Sequence, residues 1–168
     1  MKLFLVRHGD ADAELPEGLG DEARALTAKA RAVIMGHFGA LAERMQGVNL
    51  ILTSPLVRTV QTAQILSTTL KHEGLLKVHR SLLPDMPVGA IESVINEHAG
   101  ENLVLVGHSP SMGAMAAHLL GMQSFPKPVN PGTVIALEKP TEDPPGSPAK
   151  FIFYAPPGQS LLDTLQGL

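Results

Sequence analysis

The chain has 168 residues but no cysteine and no tryptophan, and aromatic residues make up only 4% of it. The absence of cysteine excludes disulfide frameworks, thiolate metal sites and cysteine nucleophiles. With so few aromatic rings, the core has to be built from Leu, Val, Ile, Ala and Met. Such a composition suits an α/β protein better than an aromatic-rich β-sandwich.

Charged residues are also scarce, at 17%, and the net charge is −3 with neutral histidines. The chain therefore lacks the basic surplus of a nucleic-acid-binding protein and the polybasic patch of a membrane-surface protein. The apolar stretch before Arg7 is too short for a secretory leader, and no apolar run approaches membrane-spanning length. We expect a cytoplasmic protein that binds neither nucleic acid nor a membrane.

The length predicts one domain over residues 1–168, because it allows one sizeable core and is short for two domains of ordinary size. No internal repeat is evident along the chain. No obvious apolar stripe is left for a partner subunit, so we expect a monomer.

Three apolar runs predict buried parallel strands, at residues 2–6, 48–53 and 102–107. Apolar residues at helical spacing follow each run and predict helices at residues 27–45, 55–70 and 110–120. A hydroxyl residue stands at the start of each predicted helix, so we expect N-caps at Thr27, Ser54 and Ser109. The alternation predicts an α/β fold of three layers, with a mostly parallel central sheet and helices on both faces.

The remaining segments complete this sheet. A short strand at residues 77–80 and a helix at residues 87–99 are expected in the middle of the chain. Two later strands, at residues 133–138 and 151–155, are expected to form an edge hairpin across a proline-rich connector at residues 140–148. The tail after Pro156 is expected either to fray or to form a short helix around residues 161–165.

The tripeptide Arg7-His8-Gly9 directly follows the first predicted strand. Ligands of open α/β sheets bind outside the carboxyl ends of the strands. An imidazole can act there as nucleophile, base or metal ligand, and a guanidinium offers a fork of donors to phosphate or carboxylate. The tripeptide indicates an anion-handling site, with a solvated histidine as the alternative.

Two further motifs follow predicted strands in the same way as Arg7-His8-Gly9 follows the first. Arg58 lies about one turn into a helix whose N-terminal N–H groups favour an anion, although an ordinary solvated arginine is the alternative. His108 follows the third strand as His8 follows the first. Two histidines and two arginines at the ends of predicted parallel strands indicate one shared site.

These motifs resemble, in order and spacing, those of the histidine phosphatase superfamily, which has the phosphoglycerate mutase-like fold. The resemblance includes Gln61-Thr62-Ala63 after Arg58 and extends over most of the chain. The segment Arg24-Ala25-Leu26-Thr27 and the short length are most similar to the SixA-type phosphohistidine phosphatases.

The resemblance implies a role for each matching residue. His8 is the nucleophile that accepts the phosphoryl group, held by one ring nitrogen that donates to a nearby backbone carbonyl. Arg7, Arg58 and His108 surround the phosphoryl oxygens, with His108 as an imidazolium in that anionic company. Gly9 and Arg24 are further substrate-binding candidates.

The candidate general acid is Asp85. Asp85 falls in the interval where larger members of the superfamily carry an acid for an alkoxide leaving group, but a turn residue between prolines is the alternative. No metal and no other cofactor is expected, because the positive side chains already supply charge stabilisation. Asp10 and Asp12, near the first motif, form no recognised ligand pattern.

The resemblance therefore implies a metal-independent phosphatase with a phosphohistidine intermediate. Little chain is left for a lid between Arg58 and His108, which suits a phosphoryl group presented on a protein surface. We expect the substrate to be phosphohistidine of a signalling or phosphotransfer protein. The alternatives are a phosphatase of a small phosphate ester and, in another class, a non-catalytic module that binds a phosphorylated partner.

Overall fold

The sheet at the centre of the molecule has six strands. A computed structural model describes residues 1–15, 17–141 and 146–165. The strands are β1 (Lys2–Arg7), β2 (Leu50–Thr53), β3 (Leu75–Val78), β4 (Leu103–Gly107), β5 (Val134–Glu138) and β6 (Lys150–Ala155). Their order across the sheet is β3-β2-β4-β1-β5-β6. β1 to β4 are parallel, whereas β5 and β6 form an antiparallel hairpin at the edge, as predicted.

Four helices cover the two faces of this sheet: α1 (Ala28–Leu41), α2 (Val57–Thr69), α3 (Val88–Glu97) and α4 (Ser111–Leu120). Phe4 and Val6 of β1 pack with α1 and α2, while Leu3 and Leu5 pack with α3 and α4. This alternation follows from the two-residue period of a strand. The predicted three-layer α/β architecture is confirmed.

The start of α1 is capped as predicted. Thr27 has extended backbone, and its Oγ1 accepts a hydrogen bond from the N–H of Ala30 at 2.9 Å. The helix ends at Leu41 and continues as a 3-10 helix over Ala42–Met45, so the predicted segment 27–45 contains two kinds of helix. Gly47 then turns the chain at φ +83°, a conformation that favours glycine.

The other two capping predictions are wrong. α2 begins at Val57 and α4 at Ser111, and neither helix has a side-chain capping bond. Ser54 is instead turned inward, where its Oγ lies 2.9 Å from Nε2 of His108. Ser109 precedes Pro110, which is the N-cap residue, and α4 begins one residue later than predicted.

Two smaller predictions are also corrected. β3 ends at Val78, so it lies two residues earlier than expected. Residues 161–165 form no helix, because Leu162 and Tyr154 exchange two backbone hydrogen bonds of 2.9 Å that occupy the outer edge of β6. Residues 142–145 of the predicted proline-rich connector lie outside the described residues. No helix in the described part of the chain is long and apolar enough to cross a membrane.

The turn before β5 is fastened to the end of β1. The N–H of Gly132 is shared between the carbonyl oxygens of Arg7 (3.0 Å) and His8 (3.1 Å), and its φ is +84°. A Cβ at this position would lie 2.9 Å from Pro157 and 3.1 Å from Ile34. Only glycine meets both demands, so this turn holds the strand end that carries the first motif.

Candidate active site

The register of the parallel strands brings the motifs together. Arg7 lies opposite Gly107 across the β1–β4 pair, and Thr53 lies opposite Val106 across the β2–β4 pair. The residues that follow, including His8 and His108, therefore emerge side by side at the carboxyl edge of the sheet. The rings of these two histidines are 5.2 Å apart between centroids, in an edge-to-face arrangement.

His8 is buried, and its orientation is fixed by the next residue. Its Nδ1 lies 2.6 Å from the carbonyl oxygen of Gly9. A carbonyl can only accept, so Nδ1 of the neutral ring carries the hydrogen and Nε2 carries the lone pair. The predicted hydrogen bond to a nearby carbonyl is confirmed.

Gly9 is itself held in place, and this supports the orientation of His8. Its N–H donates to Oγ1 of Thr62 at 3.0 Å, and a Cβ would lie 3.2 Å from Leu26 and 3.3 Å from Ile34. The residue is thus packed tightly against the helix layer, and both of its backbone polar groups are engaged within the protein. Gly9 therefore helps to hold His8, and its predicted part in substrate binding stays a prediction.

Two guanidinium groups flank the histidines. The side chain of Arg58 is only 5% exposed, and its two terminal nitrogens donate to Asp21, one to the backbone oxygen and one to the carboxylate, both at 3.1 Å. Arg7 donates from one terminal nitrogen to the carbonyl of Val129 at 2.9 Å. The Nε atoms of both arginines are buried without a partner among the described residues. Both groups keep donors that an anion can use.

Asp21 is a component of the site that the sequence analysis missed. It lies in a 3-10 turn (Asp21–Ala23), and its carboxylate accepts from Nε of Arg24 at 2.7 Å as well as from Arg58. The hydrogen bond with Arg24, together with the nearby Arg58, lowers the pKa of Asp21. Arg24, predicted to bind substrate, is therefore linked to Arg58 through this carboxylate.

The protonation of His8 is governed by its surroundings. Burial is the largest effect and, with the positive charges of Arg58, Arg7 and Arg24, lowers the pKa of His8 to about 4, although the bond to Gly9 acts in the opposite direction. At neutral pH the ring is therefore uncharged, and the Nε2 lone pair is available for attack on phosphorus.

The protein groups around His108 favour its neutral form. Burial lowers its pKa to about 3, with further contributions from His8 and Arg58 that outweigh the opposing charge of Asp21. The protein groups alone thus keep His108 neutral, and any positive charge on it has to come from an anion bound beside it. Its Nε2 contacts Ser54, and its buried Nδ1 has no partner among the described residues.

Asp85 does not join this cluster. It is exposed, has φ +64° and lies in the connection between β3 and α3. Among the residues that the structure describes, no hydrogen bond or ion pair connects it to the two arginines and two histidines of the site. Its conformation is that of the turn residue considered as the alternative. In the same part of the chain, no group of three or more acidic or histidine side chains is placed to hold a metal ion.

Comparison with known sequences identifies proteins that are similar to this chain. Residues 3–82 match the sequence model of the histidine phosphatase superfamily, branch 1. An uncharacterized protein of Picosynechococcus sp. is 36% identical over 123 residues, which are 69% of this chain and 71% of that protein.

Solved structures give the same answer for the fold. The protein histidine phosphatase SixA, complexed with tungstate, superposes with a TM-score of 0.80 at 22% identity, covering 92% of this chain and 96% of SixA. The SixA protein of Agrobacterium tumefaciens superposes with a TM-score of 0.78 at 21% sequence identity. The superposition covers 94% of this chain and 98% of that protein. A mycobacterial glucosyl-3-phosphoglycerate phosphatase superposes with a TM-score of 0.60 at 16% sequence identity. The superposition covers 81% of this chain and 89% of that protein.

The sheet order, the two helix layers and these superpositions define a phosphoglycerate mutase-like α/β protein. At such low identity the structural likenesses show the fold alone. The sequence match goes further: the chain belongs to the histidine phosphatase superfamily and is a phosphatase.

The lowered pKa values predict how stability depends on pH. In the unfolded chain a histidine gains its proton near pH 6.5, whereas folded His8 and His108 gain theirs near pH 4 and pH 3. The unfolded state therefore binds more protons as the pH falls below 6.5, and each ring lowers the free energy of unfolding by up to about 1.4 kcal/mol per pH unit.

Denaturant unfolding measured from pH 7 to pH 4 tests this effect. We expect His8→Asn and His108→Asn each to flatten the decline between pH 6 and pH 4, because each removes one of the two rings. A variant whose stability falls as steeply as that of the unsubstituted protein would contradict the assignment for that ring.

Proposed function

We propose that this phosphatase needs no metal, that His8 accepts the phosphoryl group, and that the substrate is phosphohistidine on a signalling or phosphotransfer protein. One observation carries the proposal. The hydrogen bond from Nδ1 of His8 to the carbonyl oxygen of Gly9 leaves Nε2 to carry the lone pair of the neutral ring. This ring lies against that of His108 and close enough to Arg58 and Arg7 for their charges to lower its pKa. A nucleophile inside a cluster of anion-binding groups is what phosphoryl transfer through a covalent intermediate requires.

The reaction follows from this arrangement in two steps. Nε2 of His8 attacks phosphorus, the bond from phosphorus to the substrate imidazole breaks, and that imidazole leaves with its electron pair and takes a proton from solvent. Water then attacks the phosphorus held on His8, so that inorganic phosphate is released and the lone pair of Nε2 is restored. Arg7 and Arg58 stabilise the charge spread over the phosphoryl oxygens in both steps.

Two features support a protein-borne phosphohistidine over a small ester. Between α2 and β4 the longest stretch outside regular helix and strand is residues 79–87, which itself contains a 3-10 turn, and this supports an uncovered approach. An imidazole leaving group needs little help from a proton donor, whereas an alkoxide needs a general acid. Asp85 is exposed and, among the described residues, makes no hydrogen bond or ion pair with the cluster, which fits the first kind of leaving group.

The nucleophile is tested by replacing His8 with alanine. Turnover should fall roughly a thousandfold or more, because no other group takes over covalent attack. Tungstate or phosphate should still bind, since Arg7, Arg58 and His108 remain. Rapid quenching of the unsubstituted protein should trap an acid-labile phosphoryl group on His8.

His98→Gln is the matched control, because His98 lies at the end of α3 and pairs with Glu101 away from the site. It should keep full turnover. Turnover that survives in His8→Ala would exclude His8 as the nucleophile. Anion binding without any turnover in the unsubstituted protein would identify a non-catalytic binding module.

The substrate class is tested by comparing kcat/KM on a phosphohistidine-bearing phosphotransfer protein and on a panel of small phosphate esters. We expect the protein substrate to be favoured by roughly a hundredfold or more, which is the typical contribution of a general acid to ester cleavage. Both assays contain a chelator, and activity should persist. Faster cleavage of an ester, or loss of activity that a divalent ion restores, would contradict the proposal.

Asp85→Asn tests the remaining acid candidate. Asparagine also adopts positive φ, so the turn should survive the change. We expect both substrate classes to be cleaved at nearly the original rate, since Asp85 lies apart from the cluster. A selective fall in ester cleavage, with phosphohistidine cleavage preserved, would show that Asp85 serves as the acid.

A further inference from the structure

Ser54 occupies an unusual place for a serine at the start of a helix. It is completely buried, directly after β2, and its Oγ lies 2.9 Å from Nε2 of His108. A helix cap would turn this hydroxyl toward the first N–H groups of α2, yet that helix has no side-chain cap. The hydroxyl therefore contacts the imidazole of the third motif instead of capping the helix.

The backbone of Ser54 is held on both sides. Its N–H donates to the carbonyl of Val106 in β4 at 3.0 Å. Its carbonyl oxygen accepts from two buried hydroxyls, Thr53 Oγ1 at 3.0 Å and Thr59 Oγ1 at 2.9 Å. These bonds leave the serine little freedom, so the direction of its Oγ is set by the sheet and by the first turn of α2.

The direction of the hydrogen bond follows from counting donors and acceptors. The N–H of Leu56 donates to Ser54 Oγ at 3.4 Å, which uses one acceptor position of the hydroxyl. The hydroxyl hydrogen then needs an acceptor of its own, because buried polar groups are nearly always paired. Nε2 of His108 is the acceptor that the structure places within reach. A donor at Nε2 would instead leave the buried hydroxyl hydrogen unpaired.

We propose that Ser54 is a positioning residue: its hydroxyl donates to Nε2 of His108 and thereby fixes the hydrogen of the neutral ring on Nδ1. Nδ1 is then the donor left to meet an oxygen of a phosphoryl group on His8. This inference rests on the proposed function, which supplies that phosphoryl group. It gives a neutral His108 a role that the resemblance assigned to an imidazolium.

Fixing the tautomer of His108 matters because the surrounding groups keep its ring neutral. The groups that act on it electrostatically are His8 and Arg7 at the end of β1, Arg58 of α2 and Asp21 of the 3-10 turn. Together with burial they keep the ring unprotonated at neutral pH. Without Ser54 the hydrogen could move to Nε2, and Nδ1 would then present a lone pair to the phosphoryl oxygens, which repel it.

The tautomer can be measured directly and without any turnover. Ring ¹⁵N chemical shifts of His108, assigned by comparison with His108→Asn, distinguish a nitrogen that carries hydrogen from one that carries a lone pair. We expect the hydrogen on Nδ1 in the unsubstituted protein at pH 7. A hydrogen on Nε2 would overturn the proposal, whether or not His8 proves to be the nucleophile.

Ser54→Ala and Ser54→Thr extend the test. Loss of a donor to Nε2 removes a bond that favours the neutral ring, so the pKa of His108 should rise in Ser54→Ala, and threonine should restore it. If Ser54 accepted from Nε2, the alanine variant would leave that pKa unchanged or lower it, because the charged ring would lose its acceptor. Ser93→Ala is the matched control, since that hydroxyl bonds to Gly89 on the exposed face of α3.

Activity adds a second readout. We expect kcat/KM of Ser54→Ala to fall about tenfold at pH 8, the scale of one well-placed hydrogen bond, and the affinity for tungstate to fall in parallel. Ser54→Thr should restore both quantities, because threonine keeps a hydroxyl that can donate to Nε2 of His108. A loss that threonine does not restore would indicate a merely structural role for Ser54.

Discussion

The pairing of β4 with both β1 and β2 is the constraint on which the candidate site depends. These three strands are buried on both faces, and their parallel register carries His8, His108 and Ser54 to one edge. A slip of one residue in β4 would reverse the faces of its side chains and take His108 away from His8. The apolar packing of the two helix layers thus determines the geometry of a polar pocket.

The same burial decides the chemical state of the pocket. Two arginines and two histidines lie close together, and water is largely excluded from Arg58, His8 and His108. Positive charge and desolvation both oppose a further proton, so the imidazoles stay neutral while the guanidiniums stay charged. In the reaction that we propose, the arginines therefore supply charge, and the histidines supply a lone pair and a neutral donor.

Much of the fold could be predicted because its strands are continuous apolar runs and its helices repeat at regular spacing. The first and third motifs were also predictable, since a polar residue directly after a buried parallel strand lies at the carboxyl edge of the sheet. Ser54 was misassigned as a cap, because a hydroxyl before a helix has two possible partners and the sequence shows only the nearer one.

The positions of Asp21 and Asp85 relative to the site could not be predicted from sequence patterns. Asp21 contacts Arg58 across 37 positions of the chain, and no periodicity connects an irregular loop with a distant helix. Asp85 stood in the expected interval, but interval alone does not say whether a side chain turns toward the pocket. Both carboxylates belong to turns, whose paths depend on the packing of the rest of the chain.

The exposed turn that carries Asp21 has an evolutionary consequence. Arg7 ends β1, and His8 and His108 directly follow the buried strands β1 and β4, where most substitutions disturb packing, whereas the Asp21 side chain that contacts Arg58 is 62% exposed. Substitution of Asp21 changes the charge beside Arg58 without removing a residue of the core. Descendants of such a scaffold can therefore change which phosphorylated molecules they accept while His8 and the strand before it are inherited unchanged.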